Sequence, residues 1–108
     1  MKILFDQGTP VPLRQFLIGH HVTTAFEKGW NRLENGDLLQ AAESDGFQVF
    51  ITTDSNLKYQ QNLKGRKIAI VVILSTSWPK IQSVVQAISS TVNSAAPGGY
   101  YEVLFESA

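Results

Sequence analysis

Three aspartates stand at positions in the sequence where a metal site could form. Asp6 follows the apolar run Ile3–Phe5, Asp54 follows the apolar stretch 47–52, and Asp37 lies at or near the start of a helix. Grouped carboxylates repel one another, so one of them would bind a proton unless a cation were present. Carboxylate oxygens are hard ligands that select Mg²⁺ or Mn²⁺ over softer metals. Together the three aspartates could hold an ion that activates water and braces a phosphate.

Each aspartate also has a purely structural explanation. Asp6 could accept hydrogen bonds from a turn that includes Gly8, and Asp37 suits the first turn of a helix, where the helix dipole stabilises it. Asp54 could cap a helix over residues 55–63. Taken singly, the aspartates leave both explanations open. Two of them placed after successive buried strands shift the balance toward a functional site.

Alternating strand and helix patterns surround these aspartates. Strands are predicted at 3–5, 21–24, 47–52, 68–74 and 100–105, and helices at 9–18, 35–46, 55–63 and 79–93. This alternation predicts an α/β fold with a mostly parallel sheet. In such sheets, binding sites lie beyond the carboxyl ends of the strands, which is where Asp6 and Asp54 fall.

Composition limits the class of protein. With 108 residues, 44% of them hydrophobic, the chain predicts one globular domain over residues 1–108. A net charge of zero gives no electrostatic argument for nucleic acid, and the absence of cysteine excludes disulfides, thiolate zinc sites and a cysteine nucleophile. The start MKILFDQG is too short in apolar residues for a signal-peptide core, and the longest apolar run, 68–74, is too short to span a membrane. We therefore expect a cytoplasmic protein without a membrane segment.

Three segments resemble a known family in their order and spacing. The stretches ILFDQG, NGDLLQAAE and VFITTDSNL resemble the PIN-like nuclease superfamily, and more narrowly its short bacterial branch. The resemblance covers nearly the whole chain and implies a three-layer fold with a mostly parallel central sheet flanked by helices. Asp6, Asp37 and Asp54 match the acids that family members use to bind metal and cleave RNA. Asn56 stands where a further acid often occurs, so it would be a weaker, uncharged ligand.

The resemblance also implies a function and partners. It implies a Mg²⁺- or Mn²⁺-dependent endoribonuclease, in many cases the toxin of a toxin–antitoxin pair, with RNA as substrate and an antitoxin protein as partner. Lys58, close after the third aspartate, would contact the RNA backbone. The alternative is an interaction domain that keeps the fold without catalysis, which Asn56 and the short chain favour. The apolar C-terminal strand at 100–105 suggests an edge that could form a homodimer.

Overall fold

The described residues form a sheet of five parallel strands. The computed structural model describes residues 1–60 and 63–104, without the side chains of residues 59 and 60. The strands are β1 (Lys2–Phe5), β2 (His21–Thr24), β3 (Val49–Thr52), β4 (Ala69–Ile73) and β5 (Tyr100–Val103). They lie in the order β2-β1-β3-β4-β5, and every neighbouring pair is parallel.

The apolar character of the central strands explains their place in the sheet. Every residue of β3 and of β4 is buried, as expected for strands that are covered on both faces. The register pairs Phe5 with Ile51 and Thr52 with Val72, so the carboxyl ends of β1, β3 and β4 lie side by side. The residues that follow β1 and β3 therefore meet at one edge.

Helices cover both faces of the sheet. They are a 3-10 helix (Val11–Phe16), α1 (Asn35–Ser44), α2 (Leu57–Gln60), α3 (Trp78–Gln82) and α4 (Val85–Ser94). Because successive strand residues point to opposite faces, the core divides into two layers. On one face, strand residues pack with the 3-10 helix, α3 and α4 through Leu13, Ile81, Ile88 and Val92. On the other face, they pack with α1 and α2 through Leu38, Leu39, Ala42 and Leu57. The predicted three-layer α/β fold is confirmed.

The first predicted helix has a different form. Residues 9–18 were expected to be helical, whereas the structure has a 3-10 helix limited to Val11–Phe16. Pro10 stands at the N-cap in an extended conformation and Pro12 lies in the first turn. Prolines are tolerated at both positions because the N–H groups there have no intrahelical partner. The segment ends after six residues at Leu17, which leaves the helical region with φ −97° and ψ 62°.

The predicted helix over 79–93 is two helices. It breaks between α3 and α4 at Ser83 and Val84, where Val84 leaves the helical region with φ −122°. The Ser83 hydroxyl donates a 2.6 Å hydrogen bond to the Lys80 carbonyl oxygen, and such local bonds compete with the helix ladder. The β-branched pair Val84–Val85 also disfavours continuation of the helix.

The other elements are close to the expected ones: β1 begins one residue earlier than predicted, β2 has the predicted bounds, and α1 ends two residues earlier. Strands expected at 47–52, 68–74 and 100–105 begin or end one or two residues inside those limits. The helix expected over 55–63 is described as Leu57–Gln60, and residues 61–62 and Phe105 lie outside the described residues. Within the part of the chain that is described, no helix has the length and apolar character needed to cross a bilayer.

The strand order determines where a ligand could enter. From β1 the chain passes to β2 on one side of the sheet, while β3 lies on the other side of β1. In open parallel sheets, such a reversal of direction leaves a crevice at the carboxyl ends of the two central strands. Here those strands are β1 and β3, which lead into Asp6 and Asp54.

Candidate acidic site at the carboxyl edge of the sheet

Asp6 is held at the end of β1 by two threonines. Its backbone N–H donates a 3.2 Å hydrogen bond to the Ile51 carbonyl oxygen, which continues the pairing of β1 with β3. The Thr9 hydroxyl lies 2.6 Å from Oδ1 of Asp6. The Thr52 hydroxyl donates a short hydrogen bond to Oδ2. Both carboxylate oxygens are therefore fixed in direction by neighbouring side chains.

The environment of Asp6 disfavours its negative charge. Burial raises the pKa of the Asp6 carboxyl above its ordinary value, and the hydrogen bonds from Thr52 and Thr9 oppose that shift without cancelling it. The negative charge of Asp54 raises the pKa further. Among the described residues, no basic side chain contributes to the shift of Asp6. A cation beside Asp6 would therefore stabilise the ionised form of this carboxyl.

Asp54 lies in the turn between β3 and α2. Its Oδ1 accepts a 3.0 Å hydrogen bond from the backbone N–H of Asn56, and its carbonyl accepts one from the N–H of Leu57 at 3.3 Å. Its Oδ2 accepts a 3.0 Å bond from the side-chain amide of Asn35, at the start of α1. The carboxylate thus bonds to the turn before α2, whereas the N–H of Leu57, the first residue of α2, pairs with the Asp54 carbonyl and not with its side chain.

Two successive hydrogen bonds join the Asp6 carboxylate to the backbone N–H of Asp54. The backbone N–H of Asp54 donates to the Thr52 hydroxyl at 3.0 Å, and that hydroxyl donates to Asp6. Thr52 is almost completely buried at the end of β3. Thr52 therefore links the Asp6 side chain to the backbone at Asp54 from the end of one strand.

Asp37 is placed differently from the other two aspartates. It lies in the first turn of α1 and is exposed. Among residues 1–60 and 63–104, no three His, Cys, Asp or Glu side chains are grouped closely enough to hold a metal ion. The structure therefore brings Asp6 and Asp54 together and leaves Asp37 outside that pair.

The spacing along α1 explains why Asn35 and not Asp37 reaches the site. Residues 35, 38, 39 and 42 share one helical face, since they follow the i, i+3, i+4, i+7 spacing. Leu38, Leu39 and Ala42 are buried on that face, which brings Asn35 with them. Asp37 falls on another side of the helix. Asn35 is not among the residues predicted for the site, although the same helical spacing indicates it.

The two weaker sequence candidates occupy the rim. Asn56 is exposed and contacts Asp54 through its backbone N–H. The Lys58 ammonium forms a 3.2 Å ion pair with Glu102 at the end of β5 and lies 5.9 Å from the ring centre of Tyr100. Lys58 is therefore engaged with β5 in this structure, and its role in RNA binding stays a prediction.

A glycine lets the loop after β1 pass close to β3. A Cβ atom on Gly8 would stand 2.7 Å from the Thr53 hydroxyl oxygen and 3.8 Å from Oδ1 of Asp6. Contacts shorter than about 3 Å are far inside ordinary van der Waals separation. The loop that carries Gln7 therefore needs glycine for space beside the acids.

Two cavities share Asp6 as part of their walls. A small pocket of about 170 Å³ is lined by Asp6, Gln7, Gly8, Trp30 and Asn35, among others. A larger cavity of about 470 Å³ extends over the end of β2 and is lined by Asp6, Gln7, Arg14, Phe26 and Glu27, among others. The carboxylate of Asp6 can therefore be approached from two sides.

Comparison with known proteins gives no independent assignment. The chain matches no protein-family model, no curated protein and no solved structure. The chemistry of the site has to be argued from its own residues.

Oxygen donors dominate this edge. Two carboxylates, the hydroxyls of Thr9 and Thr52 and the amide of Asn35 are hard donors of the kind that Mg²⁺ and Mn²⁺ take. Mg²⁺ is commonly bound by one or two protein carboxylates, with waters and substrate phosphates in the other positions. Asp6 and Asp54 supply those two carboxylates, so the residues present fit a hydrated divalent cation.

Proposed function

We propose that this protein hydrolyses phosphodiester bonds in RNA with the help of Mg²⁺ or Mn²⁺. The observation that carries the proposal is the pairing of Asp6 with Asp54 at the carboxyl ends of two neighbouring parallel strands. Their charges are close enough that Asp54 contributes to the raised pKa of Asp6. A divalent cation would relieve this repulsion, and its remaining coordination positions would be open to water and phosphate.

Some residues of the site would bind the cation, and others hold the binding side chains in position. Asp6 and Asp54 provide the negative charge that attracts the cation. Thr9 and Thr52 fix the Asp6 oxygens, and Asn35 fixes Oδ2 of Asp54. Loss of such a supporting hydrogen bond typically lowers metal affinity or activity by about 10- to 100-fold. A bound Mg²⁺ or Mn²⁺ would supply an acidified water and charge stabilisation for the phosphate.

Asp37, Asn56 and Lys58 have supporting places in this proposal. Asp37 lies two residues from Asn35 on α1, so its charge adds to the negative potential at this edge without a contact to Asp54. Asn56 offers an uncharged amide beside the Asp54 turn. Lys58 would contact the RNA backbone only after exchanging its ion pair with Glu102 for a phosphate. That exchange is inexpensive, because exposed ion pairs are worth roughly 0 to 1 kcal/mol.

The test is cleavage of single-stranded and structured RNAs with Mn²⁺ by the wild type and four variants. Asp6→Asn and Asp54→Asn should each lower turnover by about a hundredfold or more, with little change in KM, because the ligands act mainly in the transition state. Asn56→Asp should retain or increase activity. Asp45→Asn is the matched control, since Asp45 contacts Lys2 at the beginning of β1, on the opposite edge of the sheet. Equal cleavage by all of these proteins would identify a contaminating nuclease.

A second candidate function is a non-catalytic interaction domain. The observation that favours it is the lack of a third acidic ligand beside Asp6 and Asp54 among the described residues. In that case the acid pair would be a remnant, and Mn²⁺ would bind weakly. A toxin role with an antitoxin partner belongs to the first proposal alone. Absence of cleavage for every RNA offered, together with absence of Mn²⁺ binding, would favour the interaction domain.

A further inference from the structure

The larger cavity beside Asp6 is not explained by metal binding. Its volume of about 470 Å³ lies within the range of roughly 300–1,000 Å³ that small-molecule sites occupy. It shares Asp6 and Gln7 with the smaller pocket that Asn35 lines. With a divalent cation held at Asp6, a ligand with one anionic and one apolar part could place the two parts on opposite sides of this residue.

An aromatic side chain stands exposed at this cavity. Phe26 is 72% exposed and Val11 is 54% exposed, and both line the cavity. Exposed apolar residues that line the same cavity can mark a ligand-binding groove. Phe26 also offers a flat face, which suits a planar partner.

The loop that carries Phe26 is held rigidly. The Thr24 N–H donates to Oε1 of Glu27 at 2.9 Å, and the Glu27 N–H donates to the Thr24 hydroxyl at 3.0 Å. These reciprocal bonds form a capping box around residues 24–27. Arg14 adds two bonds to the Glu27 carboxylate, at 2.5 and 3.4 Å. Phe26 is thus presented to solvent by a preorganised turn.

Polar groups with hydrogen-bonding capacity border the aromatic face. Arg14 lines the cavity, and its Nε is buried without a hydrogen-bond partner among the described residues. Gln7 is exposed at the shared wall, and its amide can both donate and accept. Since the Arg14 Nη atoms are bonded to Glu27, the Gln7 amide is the group that could pair with the edge of a planar ligand stacked on Phe26.

We propose that this cavity binds one unstacked nucleobase of a single-stranded nucleic acid, with the adjoining phosphate directed toward Asp6 and Asp54. This inference rests on the proposed phosphodiester hydrolysis and adds a base-binding cavity beside the acidic site. A nucleobase combines a flat face for Phe26 with an edge of donors and acceptors that the Gln7 amide can match. A double-stranded substrate could not present a base in this way without unpairing it.

The experiment measures binding of labelled hexanucleotides whose phosphorothioate linkages resist hydrolysis. Fluorescence anisotropy with Mg²⁺, and again with EDTA, compares the four homopolymers with an abasic hexamer. The proteins are the wild type, Phe26→Ala, Phe26→Trp and Ile18→Ala. Ile18 is the matched control because it is 87% exposed and lines a different cavity, next to α4.

The expected result is base-dependent binding that needs an aromatic residue at position 26. At least one homopolymer should bind the wild type about tenfold more tightly than the abasic hexamer, and Phe26→Ala should remove about that factor. Phe26→Trp should restore it, and Ile18→Ala should bind like the wild type. The inference is overturned if the wild type binds no hexamer, if it binds the abasic hexamer equally well, or if Phe26→Ala has no effect.

Cleavage assays on unmodified RNA separate this inference from the proposed function. Base-dependent binding that is sensitive to Phe26, without cleavage by any variant, would support the cavity assignment and contradict the hydrolase. Cleavage that depends on Asp6 and Asp54 but not on Phe26, together with unchanged binding by Phe26→Ala, would support the hydrolase and overturn the cavity assignment.

Discussion

The hydroxyl oxygen of Thr9 lies 2.6 Å from the Asp6 carboxylate and 2.9 Å from the carbonyl oxygen of Ile51. A hydroxyl has a single hydrogen to donate, so an ionised Asp6 and the Ile51 carbonyl compete for it. A protonated Asp6 removes the conflict, because its O–H can donate to Thr9 while Thr9 donates to Ile51. The geometry thus agrees with the raised pKa that burial gives Asp6.

This relationship predicts that Asp6→Asn stabilises the metal-free protein at neutral pH. An asparagine can accept from Thr52 and donate to Thr9, and it has no charge to desolvate. Because the folded-state pKa of Asp6 is raised, the wild type loses stability as the pH rises from the ordinary value of 3.8 through the raised value. At neutral pH, the variant should gain roughly 1.4 kcal/mol in free energy of unfolding for each unit by which folding raises the pKa of Asp6. Urea denaturation in EDTA at several pH values measures it.

Asp45 provides a control whose pKa shift, and hence whose effect on the pH dependence of stability, has the opposite direction. Hydrogen bonds from Lys28 and Lys2 lower the pKa of the Asp45 carboxyl. The contribution of this carboxylate to folding stability is therefore present above the ordinary pKa and is lost as the pH falls. Asp45→Asn should therefore be slightly destabilising at neutral pH and neutral in acid. If Asp6→Asn follows the trend of Asp45→Asn, the buried carboxyl is not the strained group described above.

The meeting of Asp6 and Asp54 could be predicted because it depends on local patterns. Buried strands that alternate with helices run parallel, and residues after neighbouring strands then share an edge. The register of Phe5 opposite Ile51 reflects that rule. The order of the strands, in contrast, is set by packing between distant segments, and no local pattern encodes it.

Hydrogen-bond partners were less accessible to sequence reasoning. Thr9 and Asn35 approach the acids from a loop and from another helix, so only the tertiary structure shows their contacts. Asp37 was predicted as a metal ligand because it is an acid near a helix start. The helical spacing of the buried Leu38 and Leu39 turns it away from the buried face. Helix ends also depended on single residues, such as Ser83, that compete locally with the backbone ladder.

Metal binding should reverse the stability order of wild type and Asp6→Asn. A ligand that binds only the folded state stabilises it by about 2.7 kcal/mol at a concentration one hundred times its Kd. Mn²⁺ should therefore raise the Tm of the wild type and of Asp45→Asn, but not that of Asp6→Asn or Asp54→Asn. Differential scanning fluorimetry with increasing Mn²⁺ measures the shifts. Asp37→Asn shows whether Asp37 is a ligand: an undiminished shift would place Asp37 outside the coordination shell.

Asn35→Asp should replace the hydrogen-bond donor beside Asp54 with a third negatively charged group. Asn35 donates to Oδ2 of Asp54, so a carboxylate there would repel Asp54 and lower stability by roughly 1 kcal/mol or more without metal. At the first residue of α1, the helix dipole favours the new charge and limits the loss. With Mn²⁺, the variant should bind more tightly than the wild type in calorimetric titration. Asn56→Asp, on the exposed side of Asp54, should show both a smaller loss of stability without metal and a smaller gain in Mn²⁺ affinity. Weaker Mn²⁺ binding by Asn35→Asp would contradict the placement of the cation near Asp54.

The contact between Gly8 and Thr53 predicts a coupled pair of substitutions. Gly8 is not one of the glycines with positive φ, so its requirement is for space and not for an unusual backbone conformation. In Gly8→Ala, the new Cβ would stand 2.7 Å from the Thr53 hydroxyl oxygen, and relief of that contact should cost about 1 kcal/mol. Thr53→Ala removes the opposing atom, so the double variant should recover most of the loss, with a coupling energy of roughly 1 kcal/mol in a double-mutant cycle. Urea denaturation of the four proteins gives the free energies of unfolding. Strictly additive effects would mean that the loop after β1 moves away from β3 without resistance, and that Gly8 does not set the distance between the loop and the acids.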